Sequence, residues 1–201
     1  MELALAIAAL VPSVTGMTNQ LETAKPPCCR ELKAGAPLPD RSIYQLESEW
    51  TSDVERKVRL AVLRGKPQIV ALVFTSCEFA CPLIVNDMKR IEAALPENVR
   101  TNTGFLLVSF DSVRDTPEKL RAFRTRMGLT AERWTLVRGE PDDVRELAAL
   151  LGVNYRKDAR GQYAHSNTIT LLNADGEVAL QQSGLNIAIE ELVKRTATLT
   201  H

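Results

Sequence analysis

The run Ile69-Val70-Ala71-Leu72-Val73-Phe74 constrains the fold more than any other segment. It is continuous, apolar and rich in β-branched residues, which is how a central strand covered on both faces reads. From Pro82 the period changes: Leu83, Ile84, Met88, Ile91 and Leu95 recur at helical spacing, while Asp87, Lys89, Arg90 and Glu92 take the other side. Pro82 is acceptable in a first turn, where its missing N–H costs nothing. Phe105 to Phe110 is a second apolar run of strand length. Two buried strands separated by a helix are expected to be parallel neighbours joined by a right-handed crossover.

The alternation continues. Asp115 or Thr116 is placed to cap a helix with Pro117 near its first position, Leu120, Phe123 and Met127 along one face, and Gly128 at its end. Trp134 to Val137 reads as a strand, and a further helix runs from about Pro141, with Val144, Leu147, Ala148 and Leu151 inward and Gly152 as the stop. Thr168-Ile169-Thr170-Leu171-Leu172 and Glu177-Val178-Ala179-Leu180 flank Asn173-Ala174-Asp175-Gly176, whose Asp-Gly supplies a hairpin turn. A closing helix is expected from Ile187 to about Leu199, burying Ile187, Ile189, Leu192 and Val193. Upstream of the core, Ser42 to Trp50 and Val58 to Leu63 suit an outer hairpin or extension. This element order is that of an α/β, thioredoxin-like fold: a mixed central sheet flanked by helices, with an N-terminal extension and one inserted βα unit. A chain of 201 residues, 45% hydrophobic, is long enough for one such domain and short for two.

Twenty-five basic residues balance 25 acidic ones, so nothing in the charge draws the chain to nucleic acid or to an anionic membrane. Four cysteines in this length are too sparse for a disulfide scaffold and fall into two local pairs, Cys28-Cys29 and Cys77 with Cys81. Leu3 to Val14 is apolar and is followed by small and polar residues, as in the apolar region of a secretory signal. No Lys or Arg precedes it, and it is shorter than the roughly 20 residues that span a bilayer; residues missing upstream would account for both. Met17 to Asp40, with four prolines and no usable period, reads as a tether. The expected division is therefore 1–38, signal-like segment and tether, and 39–201, the domain.

Cys77 and Cys81 follow the first core strand at the start of the first helix. One helical turn would set both sulfurs on one face, and the free N–H groups and dipole of the helix start favour thiolate over thiol, so both are expected to be reactive. Their spacing permits Cα atoms about 6 Å apart, within disulfide range. Of the two histidines, His201 is the last residue, whereas His165 stands in Tyr163-Ala164-His165-Ser166-Asn167, just before or at the start of the Thr168 strand, where it can come near the thiols. Two thiolates and one imidazole leave a structural zinc site short of its fourth ligand, while soft sulfur donors with one imidazole suit Cu(I), and a three-donor set also accepts Cu(II) if another donor completes it. A peroxide-reducing reading would need an Arg and a Thr beside the reactive cysteine, and Thr75 is only a faint echo of that pattern.

The Thr75-Ser76-Cys77-Glu78-Phe79-Ala80-Cys81-Pro82 motif, the segment Ser109-Phe110-Asp111-Ser112-Val113-Arg114-Asp115-Thr116-Pro117 and the His165-Ser166 pair, in that order, resemble the Sco/SenC family. The resemblance covers about Pro39 to the C-terminus. Thioredoxins proper space their cysteines by two residues, and peroxiredoxins do not combine Cys-x3-Cys-Pro with a downstream His-Ser. The resemblance implies an extracytoplasmic copper-binding assembly factor, rather than an enzyme in the turnover sense, that delivers copper to the copper-site subunit of cytochrome c oxidase or to another copper carrier. Cys77, Cys81 and His165 would be the ligands of the copper ion. Asp111 and Asp115 fall in the family's Asp-rich segment, for which the resemblance implies a role in shaping the site or in docking; capping and turn chemistry is the alternative, and capping is the expectation for Asp115. The family's membrane-spanning anchor is not evident here, and Gly161-Gln162-Tyr163-Ala164 lacks the acidic residue often found beside the histidine. Cys28 and Cys29 lie outside the motif and are read as tether residues. The same thiols also permit a thiol-disulfide oxidoreductase that keeps a target's copper-site cysteines reduced, which would need both cysteines but not His165.

Overall fold

The computed structural model describes Met1 and residues 40–157 and 163–200; the readings placed on residues 2–39, Cys28 and Cys29 included, and on His201 lie outside them. All of these except Met1 belong to one compact unit, Glu31–His201. After a short 3-10 segment at Ile43–Gln45, the elements run β1 (Trp50–Ser52), β2 (Lys57–Val58), a second 3-10 segment (Leu60–Leu63), β3 (Gln68–Val73), α1 (Ala80–Ala94), α2 (Glu97–Thr101), β4 (Gly104–Ser109), α3 (Pro117–Met127), β5 (Trp134–Arg138), α4 (Pro141–Leu150), β6 (Tyr155–Lys157), β7 (Tyr163–His165), β8 (Thr168–Leu172), β9 (Val178–Ser183) and α5 (Glu190–Leu199).

Among the described residues one sheet has seven strands in the order β2-β1-β5-β4-β3-β8-β9. The expected βαβ unit is present: β3 and β4 are parallel in the register Ile69↔Phe105 and Val73↔Ser109, and every residue of both strands is buried. β5 adds a third parallel strand, while β8 runs antiparallel to β3 and β9 antiparallel to β8. Trp50 and Ile43 are fully buried, so the N-terminal extension completes the core rather than lying outside it, and β1 enters the main sheet antiparallel to β5. α1 turns Ile84, Val85, Met88 and Ile91 inward, each such side chain contributing about 1.5–3 kcal/mol by leaving water.

α1 starts at Ala80, which puts Pro82 in its first turn as expected. Two local readings change. α3 is capped by Thr116, whose side chain accepts the Lys119 N–H; Asp115 is turned away into the interior. α5 starts at Glu190, so Ile187, buried, precedes it. The Asp175-Gly176 turn forms as expected: Gly176 has φ +83° and a Cβ there would stand 2.7 Å from the Tyr44 ring.

β6 and β7 were not foreseen. They pair with each other, Tyr155↔His165 and Lys157↔Tyr163, as a two-stranded ribbon separate from the main sheet. His165 therefore lies just before the Thr168 strand, as the last residue of this ribbon.

Candidate metal and thiol site

The chain leaves β3 at Phe74 and turns at once, the Cys77 N–H donating to the Phe74 carbonyl at 3.3 Å. Cys77 precedes α1 and only Cys81 lies within it, so the two do not share a helical face as expected. They meet by another route: the Cys81 N–H donates to Cys77 Sγ at 3.3 Å. A helix start has N–H groups without intrahelical partners, the N-cap Phe79 offers no side-chain acceptor, and the Cys77 sulfur serves in its place. Both are free thiols, Cys77 half-buried and Cys81 fully buried. Burial pushes the Cys81 thiol far above its ordinary value. At Cys81 the loss of water therefore opposes the activation expected from the helix start.

His165 is half-buried against Phe110, ring centroids 5.1 Å apart, and Phe74, 6.1 Å and edge-on. Burial lowers its pKa, with the Ser166 carbonyl opposing. That carbonyl lies 3.3 Å from Nδ1. A carbonyl only accepts, so Nδ1 carries the proton in this contact, and in the neutral ring Nε2 presents its lone pair. Nε2 stands 3.9 Å from Cys81 Sγ.

The three sequence-predicted donors are therefore linked in a chain, Cys77 to Cys81 to His165. Among the described residues no three His, Cys, Asp or Glu side chains already stand as a ligand set for a metal ion. The Cys81-to-His165 separation fits a shared first-row ion, whose bonds to sulfur and nitrogen are roughly 2.0–2.3 Å. Cys77 Sγ can accept the Cys81 N–H and still offer a lone pair to the ion.

Asp111 and Asp115 are both buried, 0% and 1% exposed. Asp115 accepts the Thr75 N–H at 2.9 Å and the Thr75 and Ser109 hydroxyls at 2.6 Å each, so it ties the thiol loop to the end of β4 and is no helix cap. Arg126 donates to the Thr75 carbonyl at 2.9 Å. With its hydroxyl spent on Asp115, Thr75 is not placed as a peroxidatic partner. Asp111 pairs with Arg114 and accepts the Tyr163 hydroxyl at 3.3 Å; burial, then Asp111, push the Tyr163 phenol above its usual value. Sequence reasoning missed Tyr163, Tyr155 and the ring cluster they form with Phe74 and Phe110. The visible signal was the recurrence of rings at Tyr155 and Tyr163 on either side of a short polar stretch.

A family model, SCO1/SenC, matches residues 40–201. A protein of Stutzerimonas stutzeri whose name proposes that it binds copper is 27% identical over 148 residues, 69% of this chain and 68% of that one. Two solved structures share the fold. A SCO1/SenC family lipoprotein of Bacillus anthracis aligns with TM-score 0.70 and 23% identity over 79% of this chain and 96% of its own. ScoI of Bradyrhizobium japonicum, with copper bound, aligns with TM-score 0.63 and 19% identity over 76% and 96%. The mixed sheet and its helices are thus the thioredoxin-like arrangement expected from the element order. No helix among the described residues is long and apolar enough to cross a membrane.

Proposed function

Since the chain belongs to the SCO1/SenC family, we propose that it binds one copper ion through Cys77, Cys81 and His165 and delivers it to the copper site of cytochrome c oxidase or to another copper carrier. The observation that carries this is the approach of His165 Nε2 to Cys81 Sγ at 3.9 Å with Nδ1 held by the Ser166 carbonyl. Fixing the tautomer through the other ring nitrogen is how ligating histidines are ordinarily oriented. Two sulfurs and one imidazole suit Cu(I). The copper held by ScoI belongs to that protein; for this chain the support is the donor set and the family.

The division of labour follows from burial. Cys77, half-exposed, meets the incoming ion or the acceptor first, and Cys81 and His165 close from beneath. A donor set linked pairwise and not yet gathered suits an ion that must also leave. We assign residues 1–38 to the signal-like segment and tether and place the domain on the extracytoplasmic side, in keeping with the apolar run Leu3 to Val14.

One observation favours a second activity on the same thiols. A half-buried Cys77 beside a fully buried Cys81 is the asymmetry of an attacking and a resolving cysteine. Cys77 would attack a partner's disulfide, releasing one partner thiol, and Cys81 would break the mixed disulfide, leaving Cys77–Cys81 oxidised and the partner's two thiols reduced.

An anaerobic Cu(I) titration of the reduced full chain against a competing chelator, with Cys77→Ala, Cys81→Ala and His165→Ala alongside, separates the two. The copper reading requires one tight equivalent that each substitution weakens. Weak binding indifferent to His165, with disulfide exchange intact, would sink it in favour of the reductase.

A further inference from the structure

We propose that the segment from Ser109 to Asp115 is a brace that sets the separation between the thiols and the imidazole: Asp115 positions the Cys77 loop, and Asp111, acting through Tyr163, positions the strand that carries His165. The proposal rests on the reading of these three residues as one donor set.

The brace is stiff because its parts are bonded to one another. The Ser109 hydroxyl donates to Asp115 at 2.6 Å and accepts the Asp111 N–H at 3.1 Å, so one oxygen couples the Asp115 carboxylate to the Asp111 backbone. The N–H groups of Arg114 and Asp115 both donate to the Asp111 carbonyl, at 3.1 and 2.9 Å. The Phe110 N–H donates to the Val73 carbonyl at 3.0 Å, which fixes the segment against the end of β3.

Each carboxylate then reaches toward one half of the site. Asp115 takes the Thr75 N–H and hydroxyl, two residues before Cys77. Asp111 takes the Tyr163 hydroxyl, two residues before His165, and the Arg114 guanidinium lies 5.6 Å from the Tyr163 ring centroid. Alternate residues of a strand share a face, and the rings of Tyr163 and His165 both pack on Phe110, at 4.9 and 5.1 Å. A displacement of Tyr163 is therefore passed to His165. Burying two carboxylates is unfavourable unless they are paired and hydrogen-bonded; here their partners include Thr75 and Tyr163, each two residues before a donor of the site.

Asp111, Asp115 and Tyr163 are positioning residues, and the metal-free full chain tests them without any assumption about copper. Tyr163→Phe and Asp111→Asn are expected to convert the His165 ring from one tautomer to a mixture in nitrogen-15 NMR and to weaken its proton contacts with Phe110, while the alkylation rates of Cys77 and Cys81 stay as in the parent. Asp115→Asn is expected to leave the His165 signals unchanged and to raise alkylation of Cys81 relative to Cys77 by about tenfold, since local opening then exposes the buried thiol. Tyr163→Phe keeps the ring and loses one oxygen, so it remains informative if a carboxylate variant fails to fold. If all variants shift both readouts together, in proportion to lost stability, or shift neither, the brace is overturned. If the variants show this split yet the parent binds no Cu(I), the copper reading is overturned and the brace stands; copper binding by the parent without the split among its variants does the reverse.

Discussion

The two halves of the site are held by different physics. Cys77 and Cys81 hang from the end of β3, a strand buried along its whole length, and their loop is pinned by polar bonds: Thr75 gives its N–H and hydroxyl to Asp115 and receives Arg126 at its carbonyl. His165 sits on a ribbon of two three-residue strands outside the main sheet. A lone two-stranded hairpin is marginal in water, so this one depends on ring packing, with Phe110 stacked 5.2 Å from Tyr155 and edge-on to Tyr163 at 4.9 Å. Hydrogen bonds are directional and fix a loop in one geometry. Aromatic packing fixes position but tolerates tilt. The thiol half is therefore held mainly by directional polar bonds and the imidazole half mainly by ring packing, with the Tyr163 hydroxyl on Asp111 as its polar tie.

The strongest way to break that division is at Phe110, 3% exposed. Truncation in Phe110→Ala should cost about 3–5 kcal/mol, read as a lowered denaturant midpoint at unchanged slope. Amide exchange should speed up in β6 and β7 before it does so in β3. Equal acceleration in both would show that the ribbon and the thiol loop open as one body.

Next in size is Asp115→Ala, which strands three donors in the interior: the Thr75 N–H and the hydroxyls of Thr75 and Ser109. The expected loss is roughly 2–3 kcal/mol, with faster exchange at the Thr75 amide and little change in the ribbon. A loss within about 0.5 kcal/mol, the range of an ordinary surface change, would mean that the loop is held by its apolar neighbours instead.

Asp115 also marks where sequence reading stopped. β3, β4 and the helix between them were legible because burial on both faces leaves an unbroken apolar run, and a helix leaves a 3.6-residue period. Cys77, Cys81 and His165 stood out by residue type. Their mutual geometry did not, for three separate reasons. A proline in the first turn marks the region of a helix start and not its boundary, so it was not legible that Cys77 precedes α1. Asp115 beside Thr116 gave two candidate caps of equal chemistry, and only the fold shows that the Asp115 carboxylate is 1% exposed and occupied by Thr75. The ribbon was invisible because two three-residue strands are too short to show a period, and their partners, Phe74 and Phe110, lie 53 or more residues from Tyr163 in the chain.

The pair of adjacent cap candidates gives a third, smaller test. Thr116 accepts the Lys119 N–H as the N-cap of α3, so Thr116→Ala should cost about 1 kcal/mol and leave the relative alkylation of Cys77 and Cys81 as it was. Neighbouring residues would then separate cleanly, one serving its helix and the other the thiol loop. A change in thiol reactivity in the Thr116 variant would erase that separation.

The smallest expected effect lies on the thiol side itself. Phe79 is the residue between the two cysteines that a reader of sequence would place in the core, yet it is 73% exposed. If polar bonds hold this loop, Phe79 adds nothing to its hold, and Phe79→Ser should change stability by no more than about 0.5 kcal/mol. The relative alkylation of Cys77 and Cys81 should also be unaltered, because the contact between the Cys81 N–H and Cys77 Sγ does not pass through the Phe79 side chain. A loss of several times that size would put an apolar anchor on the thiol half after all, and the contrast between a hydrogen-bonded loop and a ring-packed ribbon would have to be given up.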